Sequence, residues 1–189
     1  MPTAPGPVSL LHTWQLDPAT LETIRAMLDL AYEGDFAEAD WEHALGGVHA
    51  LVWDGDELVG HGSVVQRRML HAPRDMSSTP LARARSCGYI EAVAVRADRR
   101  RQGIGRAIMA GLGDVITGAY AMGALSASDD GRALYDALGW HAWRGRTFAL
   151  TPSGMERTAD EDEGILVLPV VPLDLDGDLT CDWRDGDVW

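Results

Sequence analysis

Five arginines, Arg96, Arg99, Arg100, Arg101 and Arg106, surround Gln102, Gly103 and Gly105 in one short polar stretch. Guanidinium groups are forked donors that match phosphate oxygens, and glycine lets backbone N–H groups approach a ligand closely. An amphipathic run, Ile104 to Tyr120, follows directly, and the first turn of a helix adds partial positive charge. The chemistry this order suits is anion binding. It is not a Walker loop, because no Gly-Lys-Ser/Thr is present and the chain has no lysine at all. The glycines also miss the G-x-G-x-x-G spacing of a dinucleotide fingerprint. Taken alone, the stretch is equally readable as a strand-to-helix turn with solvated arginines. Two further groups of residues bear chemistry: Glu91, set among apolar neighbours, and a tail, Asp174 to Trp189, with six aspartates against one arginine.

The elements that must position these groups follow from periodicity. Ile90, Val93 and Val95 mark a buried strand ahead of the basic loop. Upstream, Val8 to Leu16 reads as a strand, and Asp17-Pro18 caps a helix to about Tyr32 with Leu21, Ile24, Leu28 and Ala31 on its apolar face. Gly34 breaks that helix, and Asp35 to Leu45 is a shorter one. Val48 to Trp53 and Leu58 to Leu70 flank Asp54-Gly55-Asp56-Glu57 as a hairpin, whose long second arm predicts a bulge. His71 to Arg85 reads as a polar loop. Beyond the basic loop come a helix from about Ile104 to Tyr120, a short strand Gly123 to Ser126, a helix Asp129 to Leu138 ending at Gly139, and a strand Trp140 to Leu150 bent at Gly145.

Composition sets the limits. A chain of 189 residues with 46% hydrophobic content is long enough for one domain with a full core. Its formal net charge of -13, from 29 acidic residues against 16 arginines, disfavours a nucleic-acid or anionic-membrane partner and points to a cationic one, although general solubility accounts for an acidic balance equally well. Cys87 and Cys181 are too few and too far apart for a disulfide framework or a C-x-x-C metal site, so both are expected to be reduced thiols. His43, His49 and His61 lack metal-ligand spacing and read as structural histidines; no metal is expected. No signal segment or membrane-length apolar run is seen, so a cytoplasmic enzyme is the expectation.

Arg100, Gly103 and Gly105, preceded by the V-A-V-R strand end, resemble the acetyl-CoA loop Arg/Gln-x-x-Gly-x-Gly/Ala of the GNAT acetyltransferase superfamily. The resemblance narrows over GDFAEADWEHALGGVHALVW, CGYIEAVAVRAD, GALS to YDALGW, and the terminal CDWRDGDVW, which together are similar to the aminoglycoside 2'-N-acetyltransferases. It implies an α+β GNAT fold, with a central mixed, mostly antiparallel sheet flanked by helices and strands splayed to form an acetyl-CoA cleft. A single domain over 1–189 is expected, its tail from 174 docked at the substrate cleft, and a homodimer.

The same resemblance implies roles. Acetyl-CoA would be held by main-chain atoms of Val93 and Val95 and by Arg100, Arg101, Gln102, Gly103, Gly105 and Arg106. Glu91 would be the base, acting through ordered water, and Tyr135 the acid that protonates the departing CoA sulfur. Asp35, Asp40, Ser126, Asp162, Asp187 and the terminal carboxylate of Trp189 would hold the aminoglycoside or another polycationic amine. The acidic run 160–163 allows a register error of one or two at Asp162. Trp183, Val188 and Trp189 are expected to anchor the tail, and Trp41 to pack in the core. Two other readings stay open: a GNAT enzyme acting on another amine, and a non-catalytic acyl-CoA or aminoglycoside binding module.

Overall fold

The structure, a computed structural model, describes residues 6–74, 82–127 and 129–189. In chain order its elements are β1 (Val8–His12), α1 (Pro18–Ala31), α2 (Glu38–Ala44), β2 (Val48–Asp54), β3 (Glu57–Ala72), β4 (Arg83–Val95), α3 (Ile104–Ala119), β5 (Met122–Ser126), α4 (Asp129–Asp136), β6 (His141–Ala142), β7 (Thr147–Thr151), β8 (Gly154–Arg157), β9 (Ile165–Pro169) and β10 (Asp178–Cys181). The strands form one mixed sheet in the order β6-β9-β5-β4-β3-β10-β7-β8, with β2 added to β3 and β1 to β2. Pairings β4–β5 and β10–β7 are parallel. No helix among the described residues is long and apolar enough to cross a membrane.

Contacts divide the chain into two compact units, Met1–Val65 with Ile90–Val115, and Gln66–Tyr89 with Ile116–Trp189. In the first unit, α1 starts where the sequence places it. The Asp17 carboxylate accepts from the Thr20 N–H at 3.0 Å, and Pro18 takes the position where no N–H is needed. Ile24 and Leu28 are fully buried in a cluster with Leu51 and Leu58, and Leu21, Ala31 and Trp41 pack against it, as expected. The β2–β3 hairpin turns at Gly55, whose φ is +62°, and its register shifts between Val52 and Trp53, which is the bulge the long arm predicts. Helix α3 lies directly on β3. A Cβ at Gly60 would fall 2.5 Å from Ile104, and one at Gly62 would fall 2.9 Å from Ile108. Those glycines let Ile104, Ile108 and Leu112 bury completely, at about 1.5–3 kcal/mol each.

The second unit departs further from the sequence reading. The loop expected over 71–85 is shorter: β3 runs on to Ala72 and β4 begins at Arg83, while residues 75–81 lie outside the described residues. The strand expected over 140–150 is two strands, because Gly145 is held tightly against another segment; its Cβ would sit 1.7 Å from the Gly177 carbonyl oxygen. Strands β8, β9 and β10 add to the expected order. Strand β10 comes from the tail, pairing antiparallel with β3 and parallel with β7. Burial raises the thiol pKa of both Cys87 and Cys181, which are free.

Candidate functional site

In the first unit the candidate residues lie along the end of β4 and the loop after it. Glu91 is half-buried, and the next residue, Ala92, has a left-handed φ of +50°. That conformation costs a residue with a Cβ about 1–3 kcal/mol. Two side chains of β3 meet it: the Ser63 hydroxyl donates to the Glu91 carbonyl at 3.4 Å, and His61 Nδ1 lies 2.9 Å from the Ala92 carbonyl. The Val93 carbonyl accepts from the Tyr32 hydroxyl at 3.2 Å, and the Val95 carbonyl from Arg100 Nε at 3.3 Å. Both carbonyls are thus acceptors presented along one strand.

The arginines of the loop divide into two sets. Arg96 pairs with Glu57 and Asp98, and Arg99 pairs with Asp54 and Asp98, so these two tie the loop to the hairpin. Arg100, Arg101 and Arg106 are exposed and have no ion pair among the described residues. Arg101 and Gly103 both have left-handed backbones, with φ of +60° and +85°, around Gln102. Such alternation makes successive N–H groups converge on an anion. The first helical bond runs from Ala107 N–H to the Gly103 carbonyl, leaving the N–H groups of 104–106 without helical acceptors. The loop can therefore take a diphosphate with the residues the sequence singled out: Arg100, Arg101, Gln102, Gly103, Gly105 and Arg106.

Asp35 and Asp40 also belong to this unit. Asp35 is exposed, with no side-chain partner among the described residues. Asp40 has a local task, since one of its oxygens accepts from the Ala37 N–H at 2.9 Å and caps α2.

In the second unit Tyr135 is 9% exposed, with its ring edge-on to Trp140. Its hydroxyl makes no hydrogen bond among the described residues, and burial raises its pKa. The phenol therefore keeps its proton, as a donor must. Asp162 is already engaged. It accepts from the Thr147 N–H at 3.1 Å and the Thr147 hydroxyl at 2.9 Å, and it forms a two-pronged ion pair with Arg157. Those bonds, Arg157 first, lower its pKa. It also lines a cavity of about 370 Å³ with Glu163, Arg132 and Arg144, the last of these paired with Asp176.

Glu161 lies one residue from Asp162, inside the register range that the acidic run 160–163 allows, and its surroundings differ. Burial raises its pKa, and the charges of Asp187 and Asp160 raise it further. Gly164 holds the space between Glu161 and Ser126: a Cβ there would be 3.9 Å from Ser126 Oγ and 4.0 Å from Glu161 Oε2. Ser126, Glu161 and Asp187 thus gather at the end of β5. Nothing local in the run 160–163 separates Glu161 from Asp162.

The tail supports this cluster. Trp189 is 3% exposed, its indole N–H donates to the Thr158 hydroxyl at 2.9 Å, and its backbone N–H donates to Asp187 Oδ1 at 3.1 Å. Cys181 donates to the Val188 carbonyl, and Arg184 to the Asp187 carbonyl. Asp182 accepts from buried Arg67 at 2.7 Å. Trp183 does not anchor the tail as expected; it is 46% exposed, and the arginines Arg67 and Arg184 stack on the ring of Tyr89 instead.

Comparison with known proteins adds the chemistry. The model of the acetyltransferase (GNAT) family matches residues 11–140. The chain is 50% identical over 185 residues to the aminoglycoside 2'-N-acetyltransferase of Mycolicibacterium fortuitum, covering 95% of this chain and 90% of that protein. Its fold is similar to the crystal structure of the ribosomal-protein-S18-alanine N-acetyltransferase from Escherichia coli, at TM-score 0.57 and 19% identity, covering 87% of this chain and 95% of that one. It is likewise similar to Escherichia coli ElaA, at TM-score 0.55 and 14% identity, covering 85% and 97%.

Proposed function

Since the chain belongs to the acetyltransferase (GNAT) family, we propose that it moves the acetyl group of acetyl-CoA onto the 2'-amine of aminoglycosides. The observation that carries this reading is the likeness to the Mycolicibacterium fortuitum enzyme across nearly the whole of both chains. The charge distribution agrees with it: a basic loop with three arginines outside any described ion pair in one unit, and a knot of uncompensated acids in the other.

When bound, acetyl-CoA supplies an activated thioester. The protein's part is to hold the two reactants and to move two protons. Arg101, Arg106 and the N–H groups at 103–106 bind the diphosphate, and the Val93 and Val95 backbones accept from the amides of the pantetheine arm. Ser126, Glu161, Asp187 and Asp35 hold the ammonium groups of the antibiotic. Ammonium groups only donate, so acceptors at several points fix a rigid polyamine in one orientation. An alkylamine of pKa about 10.4 is neutral in only about one in a few thousand molecules near pH 7. Nearby carboxylates favour the charged form still more. Glu91 therefore takes the amine's proton through water, and Tyr135 returns a proton to the departing sulfur.

Release of free CoA, followed with a thiol reagent, tests the reading on a pair of aminoglycosides that differ only at 2', amine against hydroxyl. Turnover is expected with the amine alone.

A further inference from the structure

Under the turn of β4 at Ala92 lies a column of three side chains. His61 Nδ1 is 2.9 Å from the Ala92 carbonyl, His61 Nε2 is 3.0 Å from His49 Nδ1, and His49 Nε2 is 2.8 Å from the Thr13 hydroxyl. Both rings are completely buried. Proton bookkeeping fixes their state. A carbonyl only accepts, so His61 carries its proton on Nδ1 and presents a lone pair at Nε2. His49 must then donate from Nδ1 and accept at Nε2 from Thr13. The Thr13 oxygen in turn accepts from the Gly46 N–H at 2.9 Å, and the Gly47 carbonyl nearby is satisfied by the Thr13 N–H. Every polar atom of the column has a partner, with both imidazoles neutral.

Such a column is costly to bury, and an apolar pair would fill the same space. What an apolar pair could not do is hold a carbonyl. The strand geometry shows why a carbonyl needs holding here. Gly60 and Gly62 give one face of β3 to α3, so His61 and Ser63 occupy the other face and reach Ala92 and Glu91. Ala92 is left-handed without being glycine, so on its own it would relax toward extended backbone and rotate Glu91 with it. The column cannot relay Glu91's proton, because it ends on a peptide carbonyl that has none to pass on.

We infer that His61 is a positioning residue for Glu91: backed by His49 and Thr13, its ring pins the Ala92 carbonyl and so fixes the turn from which Glu91 projects. The inference rests on Glu91 being the base. It makes activity depend on one hydrogen bond, and three variants separate that bond from packing. H61F keeps the ring shape and loses both bonds. H61Q reaches toward His49 and loses the bond to Ala92. H61N keeps an N–H where Nδ1 stood.

Steady-state kinetics with acetyl-CoA and a 2'-amino aminoglycoside, alongside thermal unfolding, is the test. By the cost of misplacing a catalytic group, H61F and H61Q should lose about thirtyfold or more in kcat with KM for acetyl-CoA held within about threefold, and H61N should rescue most of the loss. In an E91Q background H61F should cost little further, because the residue it positions is gone. If H61F does not fold, the Asn and Gln variants decide, and T13V at the far end should lower kcat by a smaller factor. Wild-type kcat in H61Q, or a loss confined to KM for acetyl-CoA, would overturn the inference. An E91Q enzyme with full turnover would overturn the reading of Glu91 and this inference together. A crippled E91Q beside an unaffected H61F would overturn this inference alone.

Discussion

The basic loop at 96–106 and the acidic turn at 159–163 are opposite in sign but similar in sequence texture, each a short run dense in one charge. What separates structural from available charge is the same in both. Arg96 and Arg99 are consumed by Glu57, Asp98 and Asp54, while Arg100, Arg101 and Arg106 have no ion pair among the described residues. Asp162 is consumed by Arg157 and Thr147, while Glu161 has no ion pair among the described residues and feels the charges of Asp187 and Asp160. The charge available to a ligand is what internal pairing leaves behind. The two regions differ in how they present it: the loop adds backbone N–H groups to its arginines, whereas the turn relies on side chains alone. A diphosphate can therefore be held partly by main chain that no substitution removes, and a polyamine cannot.

That contrast predicts the sharper mutational response in the acidic turn. E161Q should raise KM for the aminoglycoside about tenfold or more, by the value of a charged hydrogen bond, with KM for acetyl-CoA unchanged. D162N should instead lower the melting temperature, because the amide keeps an acceptor for Thr147 but removes the charge and the second oxygen that pair with Arg157. Equal effects of the two on KM would erase the distinction. Ammonium binding needs Glu161 ionised, and its pKa lies above the usual carboxylate range. Affinity for the antibiotic should thus fall as pH drops toward that range, and E161Q should flatten the dependence.

Smaller effects are expected in the loop. R101A or R106A should raise KM for acetyl-CoA about three- to tenfold, less at high salt, because each removes one phosphate partner while the N–H groups stay. R96A should change it less, acting only through the loop's rigidity. The reverse ranking would mean that the wrong arginines have been assigned to the ligand.

The weakest handle is acid stability of the first unit. Unfolded histidine takes a proton near pH 6.5, but burial lowers the folded values to about 4 for His49 and about 3 for His61. Unfolding then takes up protons as pH falls below 6.5, so stability drops through that window by up to about 1.4 kcal/mol per pH unit per ring. Thermal melts from pH 7 to pH 5 check this, and a melting temperature that does not change would contradict the neutral column.

The sequence made much of the first unit legible because local signals there agree with the fold. Asp17-Pro18, the Gly55 turn and the arginine-glycine run each act through their own backbone, and each appears where periodicity and capping place it. The second unit was less legible because its strands are decided by distant partners. Nothing local marks Asp178 to Cys181 as a strand; β3 and β7 make it one. Which of the acids at 160–163 is engaged internally depends on Arg157 and Thr147, partners that a run of four acids does not reveal. The left-handed backbone at Ala92 is equally silent, since only a glycine there would have announced it.

The central claim is acetyl transfer to one nitrogen, and the product itself tests it most directly. An aminoglycoside bearing the 2'-amine and several others, turned over with acetyl-CoA and examined by two-dimensional NMR, is predicted to carry a single acetyl group on the 2' nitrogen. An acetyl group on any other nitrogen, or turnover of the matching 2'-hydroxyl compound, would contradict the account.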